Sequence, residues 1–397
     1  MKRLIAILMA VVLLTSCRVL ERSEYGEIAA GDVTMETQFA VYGRDTEVIQ
    51  VILRNNSGEV LEFGSAWSME VLKGDAWMKL PFIANLGWND LLYSVADGGS
   101  FSFKVHTASL ADRLTDGRYR VVKKLGDSIC AAEFEVGESK VSADSPYGFE
   151  ALEALTADYS LVDAAEDGVI TADGTESDVR MEQFFSMLKT RVNGQLRFGT
   201  EVDGKSVLTD LITEYELGEW RILYRVDKTR IGGDIDEAYY SSFVTDGKRI
   251  GLANRAEWNE SEEMVILDWG ASEAVIDSVK RMNEEMAMWS VRTAGFWSPD
   301  GMRLIMLNDK PLEFGSSKLY PEGGSSGSMQ GLNDVPGMVA IRNVVWTSET
   351  EVMFVCECDT EGMTGYVFYD TETDKVMSYT VSAYAPQVED GKIVIPE

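Results

Sequence analysis

From about Asp32 to Gly137 the chain is divided into apolar runs too short for helices, separated by turn formers, and this cadence restricts the fold more than any other feature. Val48 to Leu53, Val60 to Phe63, Trp67 to Leu72, Phe101 to Val105, Tyr119 to Lys123 and Ala131 to Val136 are strand-length. Asn55-Asn56-Ser57-Gly58 supplies turn chemistry after the first of them. About seven such strands in about 105 residues predict an antiparallel β-sandwich spanning residues 32–137.

Within the same stretch run Asn55-Asn56-Ser57-Gly58, Phe63-Gly64, Glu70-Val71-Leu72, Trp77, Leu80-Pro81, Trp88 and Gly98-Gly99-Ser100. Gly117, Tyr119-Arg120-Val121-Val122 and Glu133-Phe134 follow. In order and spacing these residues resemble a bacterial immunoglobulin-like (Big-type) domain of Gram-positive (Firmicutes) surface lipoproteins. The resemblance implies a fold and a location, since such domains mostly act as spacers or docking modules. It implies no chemistry.

The first residues bear on location independently. Met1-Lys2-Arg3 is basic and Leu4 to Leu14 is wholly apolar, the two opening parts of a signal peptide. The run is too short to span a bilayer, which takes a helix of about 20 residues. It closes on Leu14-Thr15-Ser16-Cys17, which resembles the bacterial lipobox, so residues 1–16 are expected to be cleaved and Cys17 to be the lipid attachment site. Two or three acyl chains there would hold the protein on the extracytoplasmic face of the cell membrane, since a single chain binds only marginally. Residues 17–31, polar and without apolar period, read as a tether.

Beyond the polar stretch Ser139 to Pro146, residues 147–256 are expected to form an α+β module. A weakly helical Phe149 to Ala165 and a strand-like Gly168 to Ala172 precede a helix from about Asp178 to Arg191. Thr175 or Ser177 is available to cap that helix and Asn193-Gly194 to stop it. Met181, Phe184, Phe185 and Leu188 share one helical face. Strands are predicted at Gln195 to Val202, Val207 to Glu214 and Trp220 to Val226, and Asp246-Gly247 suits a type I′ hairpin. Tyr159-Ser160-Leu161, Ala164, Gly168-Val169-Ile170, Phe184-Phe185 and Arg197 are similar to a module that follows the immunoglobulin-like domain in related lipoproteins. No activity comes with that similarity.

Residues 257–397 read as a helix plus a propeller-blade-like β-meander. Val275, Val279, Met282, Met286 and Trp289 form a helical stripe suited to packing on the module's own sheet. Trp297-Ser298-Pro299-Asp300-Gly301 is a turn of the kind that opens a propeller blade, and Arg303 to Leu307, Val344 to Trp346, Val352 to Cys358, Gly365 to Tyr369 and Val376 to Val381 are strands. A closed propeller needs typically four or more four-stranded blades, so an open sheet covered by the helix is expected. Gly315 to Gly331, rich in Gly and Ser, reads as a mobile loop.

Charge and composition narrow the function. With 36 basic and 66 acidic residues the net charge is −30, and no basic cluster suits a polyanion, so nucleic acid is not an expected partner. His106 is the only histidine and falls at a strand end, which removes His-dependent triads and multi-histidine metal sites. Besides Cys17 there are Cys130, Cys356 and Cys358, an odd set that makes no disulfide framework. Cys356 and Cys358 would share one strand face as a packed thiol pair, with a bridge to Cys130 as the alternative.

Asp163 to Gly174 matches an EF-hand loop in part but has Ala165 at the third position and Gly174 at the twelfth, so no calcium site is expected. No phosphate-cradling loop occurs, and neither metal nor cofactor is anticipated. Trp67, Trp77 and Trp88 could stack on a ligand, although core positions suit two of them. The expected function is therefore a lipid-anchored binding or interaction protein of the bacterial envelope, without catalysis, whose open partner is an envelope protein or glycan. The alternative is a glycan hydrolase using paired carboxylates.

Overall fold

The computed structural model describes residues 20–29, 31–84, 86–88, 91–126, 128–171, 175–216, 219–255, 258–259, 264–267, 270–289, 294–307, 318–320, 327–329, 331–389 and 392–396. Residues 1–16, read from the sequence as a signal peptide, and Cys17 lie outside the described residues. The chain is mainly β and divides into two compact units, residues 1–154 and 155–397. Among the described residues no helix is long and apolar enough to cross a membrane.

In the first unit the strands are β1 (Glu21–Arg22), β2 (Val33–Thr37), β3 (Val41–Tyr42), β4 (Val48–Asn55), β5 (Leu61–Phe63) and β6 (Ser68–Lys73). β7 (Ala76–Lys79), β8 (Tyr93–Val95), β9 (Ser100–His106), β10 (Gly117–Leu125) and β11 (Ser128–Val136) follow. One sheet has the order β1-β7-β6-β10-β11-β3, the other β2-β4-β9, and β5 pairs with β8. Alternation along β10 sends Tyr119, Val121 and Leu125 into a core shared with Ile49, Val51, Leu53, Val105 and Phe134. The sandwich expected from the strand cadence is present.

The tether is shorter than its polar composition suggested. Glu21 pairs with Lys79 and Arg22 with Met78, extending the larger sheet by one edge strand. What holds this polar dipeptide is its neighbour: the Ser23 hydroxyl donates to Glu70 Oε1 at 2.6 Å. Glu70 is fully buried and accepts from the buried Arg120 guanidinium at 2.8 Å, while Arg120 stacks over Trp77 at 4.3 Å. Ser23 thus satisfies the second oxygen of a carboxylate that has no access to water.

Lys123 is a second buried cation, and among the described residues no carboxylate contacts it. Its ammonium donates to the carbonyls of Gly64, Ser65 and Ala66 at 2.9, 3.3 and 3.1 Å and lies about 5 Å from the Phe63 and Phe103 rings. Burial pushes its pKa down to about 8 from an ordinary 10.5. Between those values the unfolded chain binds more protons than the folded one, so stability rises with pH across that window. At about 1.4 kcal/mol per unit the rise is roughly 3 kcal/mol. Urea titrations at pH 7.5 and 10, read within the first unit by limited proteolysis, should show it in the wild type and not in Lys123→Met; an equal pH dependence in the two would refute the assignment.

The second unit opens with α1 (Leu161–Glu166), α2 (Thr175–Lys189), β12 (Gly194–Val202), β13 (Lys205–Glu216), β14 (Glu219–Asp227) and β15 (Ile235–Tyr240). β16 (Ser242–Thr245), β17 (Ile250–Ala253), β18 (Met264–Leu267) and α3 (Glu273–Trp289) come next. β19 (Ala294–Trp297), β20 (Leu304–Leu307), β21 (Lys318–Tyr320), β22 (Gly327–Ser328), β23 (Met338–Trp346), β24 (Glu351–Cys358), β25 (Thr364–Asp370) and β26 (Lys375–Ser382) complete the meanders, before a final hairpin, β27 (Gln387–Glu389) and β28 (Lys392–Val394). Each antiparallel sheet follows chain order: β12 to β15, β16 to β18, β19 to β22 and β23 to β26.

Several local expectations change. Helix between Phe149 and Ala165 is confined to a 3-10 turn at Leu152–Ala154 and to α1, where Ser160 and Asp163 cap one another reciprocally. Gly168 to Ala172 makes only an isolated bridge, Ile170 to Phe198. α2 already includes Thr175 and Ser177, so neither residue precedes it as a cap. It ends at Lys189 and is closed off at Arg191, whose φ of 61° goes with bonds from Val192 N to Met187 O and from Arg191 N to Leu188 O, before Asn193-Gly194 is reached.

The Asp246-Gly247 hairpin has Thr245 opposite Ile250, which leaves four residues in its loop, not two. Asp246 Oδ1 accepts from the backbone of Lys248 and Arg249, which stabilises this wider turn and holds the Asp246 carboxyl down at about 2. Within the Gly/Ser-rich Gly315 to Gly331, β21 and β22 pair.

The largest revision concerns residue 256, where a module boundary was expected. Met181, Phe184, Phe185 and Leu188 of α2 share one core with Leu196, Phe198, Leu211 and Ile222, but also with Leu267, Val275, Val279 and Met282. The stripe on α3 closes the core begun by the preceding sheet; the side chains of Met286 and Trp289 lie outside the described residues. A separate core joins β19 and β20 to the last meander through Phe296, Ile305, Ile341, Phe354 and Tyr369.

Candidate functional site

Three features of the described surface have the chemistry to meet a partner. The first is a cleft of about 790 Å³ where β3 turns into β4 and β9 leads towards β10. Its walls are fixed by backbone bonds: Gly43 N donates to Val141 O at 2.7 Å, and the Thr107 hydroxyl to Thr46 O at 2.9 Å. A Cβ on Gly43 would lie 2.7 Å from Val141 O, so the close approach requires glycine. Leu110 and Leu114 form an apolar floor, and Asp45, Glu47, His106, Asp112 and Arg113 a polar rim. Arg44 holds Asp116 through two guanidinium nitrogens, Nε and Nη2, which lowers that carboxyl. His106 is exposed at the strand end, as its position predicted. Such a cleft can hold a polar ligand over an apolar base, and it presents no activated nucleophile.

The second feature is a row of charges across the β12 to β15 sheet, on the face opposite its apolar core and buried except towards β15. Register places Arg197 opposite Asp210, Asp210 opposite Arg225 and Arg225 opposite Glu237. Arg197 grips Asp210 with two bonds of 2.6 and 2.7 Å, Gln195 adds a third at 2.8 Å, and both ions are buried. Burial pushes the Asp210 carboxyl up against the pull of Arg197. Towards β15 the row opens to solvent, with Arg225 bound to the exposed Glu237 at 2.6 Å. Beside it Arg230 pairs with Asp227 at 2.6 Å and faces the Tyr159 ring. Sequence reasoning missed this row because its members are separated along the chain and meet only through register.

The third is aromatic. Trp77 is buried under Arg120, whereas Trp67, Phe82 and Trp88 form an edge-to-face trio with centroids 5.1 to 5.6 Å apart. Trp67 is half-buried against the core and Trp88 is exposed. The remaining sequence candidates are occupied structurally. Cys130, Cys356 and Cys358 are free thiols. Burial and the neighbouring Cys358 raise Cys356 to about 12. Asp163 is engaged in the Ser160 cap and Asp167 accepts from the Tyr159 hydroxyl, while Gly174 lies outside the described residues. Among the described residues no group of three or more His, Cys, Asp and Glu could hold a metal.

Two sheets closed on one core make the first unit a β-sandwich. Residues 30–139 match the family described as a bacterial Ig-like domain, so this chain carries such a domain at that position. No curated protein matches the chain. Among solved structures, Pseudomonas fluorescens alkylpurine DNA glycosylase AlkC is 18% identical over 28% of this chain and 32% of that one, with a TM-score of 0.18. A β-glucosidase from Listeria innocua is 16% identical over 27% of this chain and 16% of its own, with a TM-score of 0.16. The chain thus spans a third or less of either protein. The Aleuria aurantia lectin is 8% identical over 92% of this chain and 96% of its own, with a TM-score of 0.18.

Proposed function

We propose that this chain is a lipid-anchored binding protein on the extracytoplasmic face of a bacterial cell membrane, held by acyl chains on Cys17 and engaging an envelope protein or glycan without catalysis. The observation that carries the reading is the junction between anchor motif and domain. The Leu14 to Cys17 motif ends four residues before β1, so a lipid there sits directly at the base of a bacterial Ig-like domain. Support for binding without catalysis comes from the acids. Glycoside hydrolysis needs a protonated carboxyl facing a second one about 5 to 9.5 Å away across a cleft. Asp210, whose proton burial favours, has both oxygens bound by Arg197 and lies out of solvent.

Metabolic labelling with a tritiated fatty acid in a Gram-positive host should mark the full chain and bring it to the membrane fraction, and Cys17→Ser should lose both. Unlabelled protein would overturn the anchor. A pull-down and glycan array on the chain from Arg18 should retain a partner; turnover of a peptidoglycan fragment by that chain would instead establish the hydrolase alternative.

A further inference from the structure

We propose that the exposed side chains of Ile83, Trp88, Leu91 and Leu92, beside the start of the domain, form a second membrane contact that inserts into the bilayer interface. It rests on the lipid anchor at Cys17. In a chain of net charge −30, the loop between β7 and β8 leaves Ile83 46%, Trp88 39%, Leu91 58% and Leu92 68% exposed. Four large apolar side chains this exposed within one ten-residue stretch mark a surface that meets something other than water. The base of the loop is held to the frame: Ile83 N donates to Ser109 O, Ala111 N to Pro81 O, and Phe82 bridges to Leu110. Trp88 is braced edge-on against Trp67 and Phe82, so the patch is presented by a built support.

The register says what covers it. β1 runs antiparallel to β7 with Glu21 opposite Lys79, so stepping back to Leu20 reaches the level of Leu80, where the loop begins. Leu80 N bonds to Met69 O, two residues from Trp67, which places the aromatic trio at the same end of this ribbon. Cys17 is three residues upstream of Leu20, a reach of at most about 11 Å at 3.6 Å per residue. A bilayer that receives the acyl chains therefore lies beside the exposed Trp and Leu side chains. An indole with leucines suits the headgroup boundary, and burying them adds to the hold of the lipid. From Ile83 to Leu92 the sequence contains no Lys or Arg and one acid, Asp90, so the contact needs no anionic lipid.

The test uses the full lipidated chain in phosphatidylcholine vesicles whose acyl chains carry bromine, a short-range quencher of tryptophan. The protein should float with the vesicles and lose part of its emission. Trp88→Phe should float equally but lose most of that quenching, and Leu91→Asp with Leu92→Asp should reduce it while the anchor still holds. Equal quenching in wild type and Trp88→Phe on floating vesicles would overturn the loop contact alone. A chain that fails to float would overturn the anchor and, with it, the reason for placing the loop at a bilayer.

Discussion

Replacing Glu70 by alanine should destabilise the immunoglobulin-like domain by about 3 to 5 kcal/mol, the usual consequence of stranding one member of a buried ion pair. The guanidinium of Arg120 is 1% exposed and would keep the Trp77 ring and, at 3.4 Å, the Ser23 hydroxyl, neither of which neutralises it. Ser23 would also lose its acceptor, so the pairing of β1 with β7 should weaken along with the sheet. Hydrogen exchange read by mass spectrometry on peptides from β6 and β10 should rise to the level of global opening. Replacing both Glu70 and Arg120 by methionine removes both charges, and should restore most of the protection. If the single variant keeps wild-type protection, the pair is not holding this sheet.

Asp210→Ala should have a comparable effect in the second unit, again about 3 to 5 kcal/mol, because Arg197 would remain 2% exposed without its two-pronged partner. Gln195 would lose an acceptor as well. Exchange should increase in β12 to β14 while peptides of the first unit stay unchanged, since the two units carry separate cores. Asp210→Asn keeps the shape and one acceptor and should fall between the alanine variant and wild type. Faster exchange spread evenly over both units would contradict this account. A chain of two units is not two-state, so the readout has to be local and not a single melting midpoint.

Much of the first domain was legible. β4, β9, β10 and β11 announce themselves through β-branched and aromatic runs bounded by Asn, Gly and Ser, which is local chemistry that a sequence displays directly. β1 was not legible, because Glu21-Arg22 has no apolar signal and is ordered by Ser23 meeting a carboxylate 47 residues away. The stop of α2 at Arg191 was hidden because a non-glycine residue takes the left-handed conformation. The Asp246-Gly247 turn was misjudged in size because the side chain of Asp246 stabilises a wider loop than the dipeptide suggests. The charged row through Arg197, Asp210, Arg225 and Glu237 depends on register, which is fixed by the burial of the opposite face against α2 and cannot be seen in any one strand. The apolar residues from Ile83 to Leu92 were visible as letters; their exposure was not.

The shared core across residue 256 has a consequence for timing. A chain that emerges from its N-terminus has the Ig-like domain complete once Val141, the last residue of its core, has appeared. The β12 to β15 sheet cannot cover its apolar face until Met282 on α3 arrives. Sixty residues separate Ile222 from Met282, which at roughly 5 to 20 residues per second take about 3 to 12 seconds. For that time Leu196, Phe198, Leu211 and Ile222 stand without one wall of their core, which is when a chaperone has the most to hold.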